Sequence, residues 1–366
     1  MVEKLSIREL RLVNFRSYHG AQFDFSERTV LVGANGAGKT NLLEALYLAA
    51  TTKSFRADRE VDMISWGETA GNVTLTAEDG GRRHDVSIGL STGIRGAKKT
   101  FTVDHTKRKS RELVTLLPMV LFSADDIRLV GGAPGRRRRA LDLTLSQSSR
   151  AYHEQLARYN RVLASRNRLL EQVAAGEATS DQLEFWDAEL IASGQQIVTA
   201  RQEFTDFLNA RLSSIYQSIA GRVEKGCCQV AYQPVATDLA TEIPRRRRQD
   251  LAVGTTTAGP HRDDWALLLG NRPLVSFGSG GEFRSAMLAF RLAEQAWLES
   301  RLEKIPALLL DDVFSELDEL RRAALLATLP SGQTIITTPE ASVLPGRYAK
   351  DAAVVMITPE GGGVHV

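Results

Sequence analysis

The stretch Gly33–Thr40, with the sequence GANGAGKT, constrains this chain more than any other. It follows the short apolar run Thr29–Val32 and precedes Asn41–Ala50, whose apolar residues recur with helical spacing. A strand, a glycine loop and a helix in this order are the context in which G-x-x-x-x-G-K-[ST] forms a P-loop. A glycine-rich turn without a ligand is the alternative, and it does not explain why every fixed position and both flanks agree.

The P-loop predicts ATP and Mg²⁺ as the cofactors. Glycines let successive backbone N–H groups point into one concavity, and the helix N-terminus adds partial positive charge. Lys39 is expected to reach the β- and γ-phosphates as a catalytic cation, and the Thr40 hydroxyl is expected to ligate Mg²⁺. The residues predicted to bind ATP are Gly33, Ala34, Asn35, Gly36, Ala37, Gly38, Lys39, Thr40 and Asn41.

A second acidic motif completes this candidate site. The apolar run Leu308–Leu310 ends in Asp311 and Asp312. A buried parallel strand presents the residue at its carboxyl end to the crevice where nucleotide and metal bind. We predict that Asp311 holds Mg²⁺ and that Asp312 polarises the attacking water; a strand followed by a plain acidic turn is the alternative. Because Lys39 and Asp311 are far apart in the sequence, one nucleotide fold must be split by an insertion.

A further glycine motif opens a predicted helix at Ser279, Gly280, Gly281 and Glu282. Helix N-termini with this composition bind phosphate. Since the P-loop already supplies one phosphate cradle, we interpret this motif as a clamp on the ATP that is bound by a second copy of the chain. A plain capping box, with Ser279 as N-cap and Glu282 three residues later, is the alternative, and the two interpretations are compatible.

The basic residues are clustered although the formal net charge is only +2. Such clusters predict sequence-independent, salt-sensitive contacts with nucleic-acid phosphates, and the absence of an aromatic ladder favours the duplex backbone. Intramolecular ion pairs of Arg136–Arg139 remain an equal alternative. The candidate DNA-binding residues are Lys98, Lys99, Lys107, Arg108, Lys109, Arg136, Arg137, Arg138 and Arg139, and a further cluster lies at Arg245–Arg248.

Composition places the chain in a general class. No run approaches the length of about 20 apolar residues that a membrane span requires, and the N-terminus lacks the apolar core of a signal peptide. The two cysteines, Cys227 and Cys228, are adjacent and fit neither a disulfide nor a zinc site. We therefore expect a cytoplasmic, nucleoid-associated protein without a membrane partner.

The hydrophobic patterning predicts an α/β fold with a mixed sheet, an antiparallel meander and an inserted helical hairpin. Alternating apolar residues over 71–104 predict the meander, and helical spacing over 137–172 and 181–221 predicts the hairpin. The predicted division is 1–123 for the N-terminal part of an ATPase head, 124–250 for a helical arm, and 251–366 for the C-terminal part of the head.

Three motifs together resemble the ATPase heads of the SMC-like ABC class: GANGAGKT, Ser279–Glu282, and LLLDD followed by Ser315–Asp318. More narrowly, the chain is similar to the RecF family almost from end to end. The segments that carry this second resemblance are Leu12–Tyr18, the extended P-loop GANGAGKTNLLEA, Thr52–Arg56, Phe122–Asp126, the G-x-P-x-x-R-R stretch ending at Leu141-Asp142, and Gly259–Asp264.

The resemblance implies an ATP-dependent homodimer in which Ser279 and Gly281 act as the signature motif. It implies sequence-independent binding of single- and double-stranded DNA at gaps or junctions, with RecR, RecO and RecA as partners in recombinational repair. The implied activity is a weak, DNA-stimulated ATPase that acts as a conformational switch. Slow hydrolysis is expected because Asp312 stands where most ABC ATPases have glutamate, and Thr337 or Thr338 where many have a histidine. No glutamine is present near Phe122-Ser123, where this class usually has one.

Other functions fit less well. A small-molecule P-loop kinase does not need a second Ser-Gly-Gly cradle, and a transporter ATPase subunit is disfavoured by the missing histidine and by the helical hairpin. Another SMC-like ABC switch that acts on DNA without a repair-mediator role remains the alternative.

Overall fold

The structure is a computed structural model that describes residues 3–93, 96–221, 226–344, 351–358 and 363–365. The chain forms two compact units. The first, called the head unit here, comprises Met1–Asp126, Ser214–Lys225 and Ser279–Val366, and the second, the arm unit, comprises Ile127–Ser213 and Gly226–Gly278. Residues 251–278, which the sequence analysis assigned to the head, therefore lie in the arm unit.

Up to residue 126 the elements are β1 (Glu3–Phe15), β2 (Tyr18–Asp24), β3 (Arg28–Val32), α1 (Lys39–Thr51), β4 (Ala70–Asp79), β5 (Arg82–Gly93), β6 (Gly96–Val103), β7 (Thr106–Arg108), α2 (Ser110–Leu113) and β8 (Met119–Phe122). From there to residue 278 they are α3 (Asp126–Gly131), α4 (Pro134–Ser148), α5 (Arg150–Ala174), α6 (Leu183–Ala220), β9 (Cys228–Gln233), α7 (Leu239–Val253), β10 (Asp264–Leu269), β11 (Arg272–Pro273) and α8 (Leu274–Phe277). The last segment contains α9 (Gly280–Leu302), β12 (Lys304–Ile305), β13 (Ala307–Asp311), α10 (Glu319–Thr328), β14 (Thr334–Thr338), β15 (Ala353–Ile357) and β16 (Gly363–His365).

The head unit contains a six-stranded sheet in the order β16-β15-β3-β14-β13-β8. All neighbouring strands in it are parallel except β15 and β16. Residues 29–32 of β3 and 307–310 of β13 are buried, as expected for parallel strands covered on both faces. Because the strands run in one direction, the residues that follow β3 and β13 emerge at the same edge of the sheet.

The second sheet of the head unit has the order β12-β1-β4-β5-β6-β7, with β2 also paired to β1. The strands β4 to β7 pair antiparallel in sequence order, so the predicted meander is confirmed. A bulge between Ile7 and Glu9 accounts for the kink in β1. Residues of both sheets and of α1 share one hydrophobic core, which fixes the helix that follows the P-loop.

The arm unit contains the helical hairpin and a three-stranded sheet in the order β11-β10-β9. The predicted helix over 137–172 is two helices, α4 and α5. Ser149 has extended backbone between them and accepts a hydrogen bond from the Tyr152 N–H at 3.2 Å, which makes it the N-cap of α5. The helix α7 was not predicted, because Pro244 interrupts its pattern.

Two buried arginines organise the arm unit. Arg166 of α5 is fully buried and donates to Asp187 and Asp250, each at 2.7 Å, and to Thr256 at 2.8 Å. Arg201 of α6 similarly donates to Asp142 at 2.8 Å and to Asp263 at 3.2 Å. These contacts bind the loop before β10 to α4, α5 and α6, which is why residues 251–278 belong to this unit.

Arg166→Ala is expected to lower the free energy of unfolding by about 3–5 kcal/mol, since it leaves the buried carboxylate of Asp250 without its cation and removes one of the two cations that pair with Asp187. Urea denaturation followed by circular dichroism measures this change. Arg158→Ala on the same helix is the control: Arg158 forms a largely exposed pair with Glu189, for which a loss of about 0–1 kcal/mol is expected. Equal losses for the two variants would contradict the structural role of Arg166.

Candidate functional site

The predicted P-loop connects β3 to α1, and α1 begins at Lys39. Gly36 and Gly38 have φ angles of 84° and 105°, a left-handed conformation that side chains disfavour. A Cβ atom at Gly38 would also lie 2.6 Å from the Tyr18 hydroxyl. The first turn of α1 has neither a side-chain cap nor an acidic residue. The loop is therefore a backbone cradle whose helix end is suited to an anion.

Lys39 points into this cradle. Its Nζ donates to the carbonyl oxygens of Gly33 at 2.5 Å and of Ala34 at 3.0 Å, and the residue is only 7% exposed. Burial lowers the pKa of Lys39, while the negative charges of Asp312 and Asp311 act in the opposite direction. An anion bound in the cradle would favour the charged form of Lys39 in the same direction as the two carboxylates.

Asp311 stands at the end of β13, beside the first turn of α1. The hydroxyl groups of Thr40 and Thr337 donate to its Oδ1 atom at 3.1 Å and 2.7 Å. Burial raises the pKa of Asp311, and the two hydrogen bonds oppose that rise. The structure thus brings Thr40 and Asp311 together across the sheet edge, as the sequence analysis expects.

Asp312 follows with a left-handed backbone, at φ 52°, which is uncommon for a residue other than glycine. Its N–H donates to the Thr337 hydroxyl at 2.9 Å, and its carboxylate accepts a hydrogen bond from Ser315. Thr337 therefore binds both aspartates at once, and it is completely buried. The sequence pointed to Thr337 or Thr338 only as a position without histidine, and this double contact was not predicted.

Thr337→Val is expected to reduce ATP hydrolysis roughly 10-fold or more, because it removes a hydrogen bond to a charged group and releases the backbone of Asp312. Steady-state phosphate release measures the effect. Thr337→Ser retains the hydroxyl and is expected to hydrolyse ATP nearly as the wild type does. A wild-type rate for Thr337→Val would show that the hydroxyl does not position the two aspartates.

The motif at residues 279–282 forms the N-terminus of α9. Ser279 accepts a hydrogen bond from the Glu282 N–H at 3.2 Å, and Glu282 accepts one from the Ser279 N–H at 2.7 Å. This is the capping box of the sequence analysis. Ser279 and Gly280 are exposed, and the Arg321 guanidinium lies over Gly281. The motif is accessible on the surface of the head unit.

Leu12–Tyr18 and Thr52–Arg56, which the sequence indicated only through the family resemblance, lie beside the P-loop and α1. Arg56 donates to the Asn41 side chain at 3.1 Å, and Asn41 donates to Ser17 at 3.0 Å. The charge of Arg56 also opposes the rise in the pKa of Asp311, so Arg56 lies near the acidic pair. Arg16 forms a two-point ion pair with the buried Glu44 of α1 at 2.8 Å and 2.7 Å. These contacts orient α1, and no local pattern in the sequence indicates them.

The candidate DNA-binding residues differ in their surroundings. Lys99 donates to the Thr52 carbonyl at 2.8 Å and pairs with Glu60. Arg137 forms a two-point ion pair with Asp264 at 2.7 Å and 2.6 Å. We withdraw Lys99 and Arg137 from the DNA-binding set, because these contacts engage their charges within the fold. The exposed members of the set are Lys98, Lys107, Arg108, Lys109, Arg136 and Arg139.

The described residues include no cluster of three or more histidine, cysteine or carboxylate side chains placed to hold a metal ion. Thr40 and Asp311 offer one hydroxyl and one carboxylate oxygen, which suits Mg²⁺ because it keeps several waters and takes phosphate oxygens as ligands. Within the same part of the chain, no helix is both long and apolar enough to cross a membrane.

Comparison with known proteins agrees with this geometry. The family model described as the RecF/RecN/SMC N terminal domain matches residues 6–358. The DNA replication and repair protein RecF of Moorella thermoacetica is 36% identical over 348 residues, covering 94% of this chain and 92% of that protein. RecF of Agathobacter rectalis is 35% identical over 334 residues, covering 90% and 91%.

Solved structures give the same result. The recombination mediator protein RecF with ATP, from the RecFOR pathway, is 26% identical with a TM-score of 0.89, covering 99% of this chain and 98% of that chain. The Smc head domain of Pyrococcus furiosus, at 17% identity and a TM-score of 0.56 over 99% and 96% of the two chains, shares the fold. The predicted fold class and family are confirmed. The chain belongs to the RecF family of DNA replication and repair proteins, and its head has the fold of the SMC-like ABC ATPases.

Proposed function

We propose that this protein is an ATP-switched DNA-binding protein of recombinational and replication-gap repair. The observation that carries the proposal is the hydrogen bond of 3.1 Å between Thr40 of the P-loop and Asp311 at the end of β13. It joins two motifs that are remote in sequence into one pocket with the donors and acceptors of a MgATP site. The similarity to a RecF structure described with ATP supports the choice of nucleotide.

In this proposal each residue of the site has its own role. The P-loop amides of residues 33–41 surround the phosphates, and Lys39 moves from its carbonyl partners to the β- and γ-phosphates. Thr40 and Asp311 would hold Mg²⁺, which would offset phosphate charge and favour the charged form of Asp311, whereas burial raises the pKa of that carboxyl. Asp312 orients the attacking water, and its left-handed backbone, fixed by Thr337, sets the direction of its carboxylate.

We expect hydrolysis to be slow. Asp312 is shorter than the glutamate of most ABC ATPases, and its carboxylate already accepts a hydrogen bond from Ser315. Thr337 or Thr338 lies where many ABC proteins have a histidine, and the Thr337 hydroxyl is engaged with both aspartates. Neither residue supplies a strong general base, so the bound nucleotide serves mainly to hold a conformation.

The proposed active state is a homodimer in which Ser279–Glu282 of one copy completes the ATP site of the other. The exposed N-terminus of α9, a helix of 23 residues, supports this because its position on the surface allows contact with a second chain. The phosphate that it meets is negatively charged, which the positive end of the helix dipole favours.

We expect this dimer to bind single- and double-stranded DNA at gaps or junctions through backbone phosphates, and DNA to stimulate hydrolysis. The structurally similar RecF with ATP is a recombination mediator of the RecFOR pathway, which supports RecR and RecO as partners and RecA loading as the outcome. The expected location is the cytoplasm, at the nucleoid.

Size-exclusion chromatography with light scattering, with and without MgATP, tests the nucleotide switch. Gel shifts with gapped, single-stranded and duplex DNA under the same two conditions test the DNA step. We expect ATP to convert monomers into dimers and to strengthen DNA binding. A protein that stays monomeric with ATP, or that binds DNA equally without it, would contradict the proposal.

A further inference from the structure

The arm unit contains two identical runs of four arginines whose charges are compensated very differently. Arg245–Arg248 lie in α7, where Arg245 and Arg246 both pair with Glu242 and Arg247 pairs with Asp187. Three of these four guanidinium groups thus pair with two carboxylates within the fold. The run in α7 therefore has a structural role, and it serves as the reference for the run Arg136–Arg139.

The second run, Arg136–Arg139, occupies the first two turns of α4. Cations are unfavourable at this end of a helix because the macrodipole is positive there. The first turn has neither an acidic residue nor a side-chain cap. Asp264 is the one ion-pair partner that the described residues offer this run: both of its oxygens accept from Arg137, and Oδ1 also accepts from the Trp265 N–H at 2.8 Å. Its single negative charge acts on Arg138 as well, without a direct ion pair. Such a conflict with local preference is expected at functional surfaces.

Arg138 contributes a further positive charge near the N-terminus of α4. Its Nη1 donates to the Asp263 carbonyl oxygen at 2.7 Å, and its Nη2 lies 3.8 Å from the position that a Cβ atom would take on Gly135. The guanidinium therefore folds back over the first turn of α4. Among the described residues, Arg136, Arg138 and Arg139 have no carboxylate within ion-pair distance.

Arg262, from the segment Gly259–Asp264 that the ATPase site does not use, joins this cluster. It is exposed, and its guanidinium donates to the Thr256 carbonyl at 3.2 Å and to no carboxylate in the described part of the chain. Arg138 donates to the carbonyl of Asp263, the residue that follows Arg262, so the two like charges lie in the same part of the arm unit. The pKa of His261 is lowered to about 4, chiefly by burial, and the positive charges of Arg262 and Arg138 act in the same direction.

The loop that carries Arg262 is held rigidly. His261 bridges the Tyr159 hydroxyl at 2.6 Å and the Thr256 carbonyl at 3.0 Å. Asp263 accepts hydrogen bonds from Tyr232 at 2.5 Å and from the Val235 N–H at 2.9 Å. Arginines on such a loop lose less conformational entropy on binding than arginines on a mobile one. A fixed group of guanidinium forks suits phosphate, which accepts two parallel N–H bonds.

We propose that Arg136, Arg138, Arg139 and Arg262, together the α4 arginine patch, form a contact surface for the phosphate backbone of nucleic acid. The inference rests on the proposed DNA binding and deepens it, because it assigns the contact to one cluster, excludes Arg137 and the α7 run, and adds a residue that no charge run indicated. The contacts are to phosphates, so they carry no sequence preference.

The test is the salt dependence of binding to a fluorescein-labelled 30-base-pair duplex, measured by fluorescence anisotropy with MgATP. Each phosphate contact contributes about 0.9 to the slope of log K against log salt concentration. Arg138→Gln with Arg262→Gln is expected to reduce the slope by about 2 and to weaken binding at 100 mM salt by at least ~10-fold. Arg245→Gln is the matched control, and its slope is expected to equal that of the wild type because Glu242 already offsets this charge.

A second double variant controls for misfolding of the first double variant. Arg136→Gln with Arg139→Gln changes two exposed residues of the same patch and is expected to reduce the slope similarly. If the wild type binds the duplex and both double variants keep its slope, the patch assignment is overturned and an acidic protein surface becomes its partner. If the wild type binds no duplex, the proposed DNA binding fails, and the patch assignment fails with it. A slope reduced only in the patch variants supports the proposal.

Discussion

We expect Lys39→Arg to abolish the proposed ATP-driven dimerisation and to leave the monomer folded. The Lys39 ammonium group is buried and lies 2.5 Å from the Gly33 carbonyl, so the planar and larger guanidinium cannot take its place inside the cradle. Two charge-assisted hydrogen bonds to the phosphates are lost. At about 1.5 kcal/mol each, this loss weakens ATP binding by about 100-fold.

Fluorescence titration with a labelled ATP analogue measures the binding, and light scattering after size exclusion measures the dimer. Lys98→Arg is the control, because Lys98 is exposed on β6 of the same unit and keeps its charge in the variant. Dimerisation of Lys39→Arg at wild-type ATP concentrations would contradict the assignment of the P-loop.

We expect Ser279→Arg to retain ATP binding and to lose the proposed dimerisation. Ser279 is exposed at the start of α9. An arginine at this position replaces a small hydroxyl with a bulky cation on the surface that is proposed to contact the second copy. Loss of the cap itself costs about 1 kcal/mol, which is too little to unfold a helix of 23 residues that packs in the head.

The same two measurements apply to this variant. Ser149→Arg removes the N-cap of α5 by the same change and controls for the loss of capping. We expect this control to dimerise with ATP. Simultaneous loss of ATP binding and of dimerisation in Ser279→Arg would place Ser279 in the ATP site of its own chain.

The sequence predicted the parts of the site that depend on local pattern. Glycines at 36 and 38 are required by their backbone angles, and Asp311 is required at the end of a buried strand. Thr337 could not be predicted, because its contact with both aspartates depends on the parallel pairing of β13 with β14. The backbone of Asp312 is likewise set by the hydrogen bond that its N–H donates to Thr337 on a neighbouring strand.

The arginine runs also show that contacts between residues far apart in the chain cannot be predicted from local sequence. Arg136–Arg139 and Arg245–Arg248 are identical in sequence but differ in the carboxylates that pair with them. Glu242 lies only three and four residues before its partners in the second run, whereas the pairs with Asp264 and Asp187 join residues that are far apart in the chain. The start of the C-terminal head segment was also placed too early, at 251. The contacts of Asp250 and Asp263 with the buried arginines join the following residues to the arm unit.

Complementation between the two inactive variants tests the shared site most directly. Lys39→Arg retains an intact Ser279, and Ser279→Arg retains an intact Lys39, so a mixed pair contains one complete composite site. Sedimentation velocity of an equimolar mixture with MgATP is expected to detect dimers that neither variant forms alone. A mixture that remains monomeric would contradict an ATP site built from two copies of the chain.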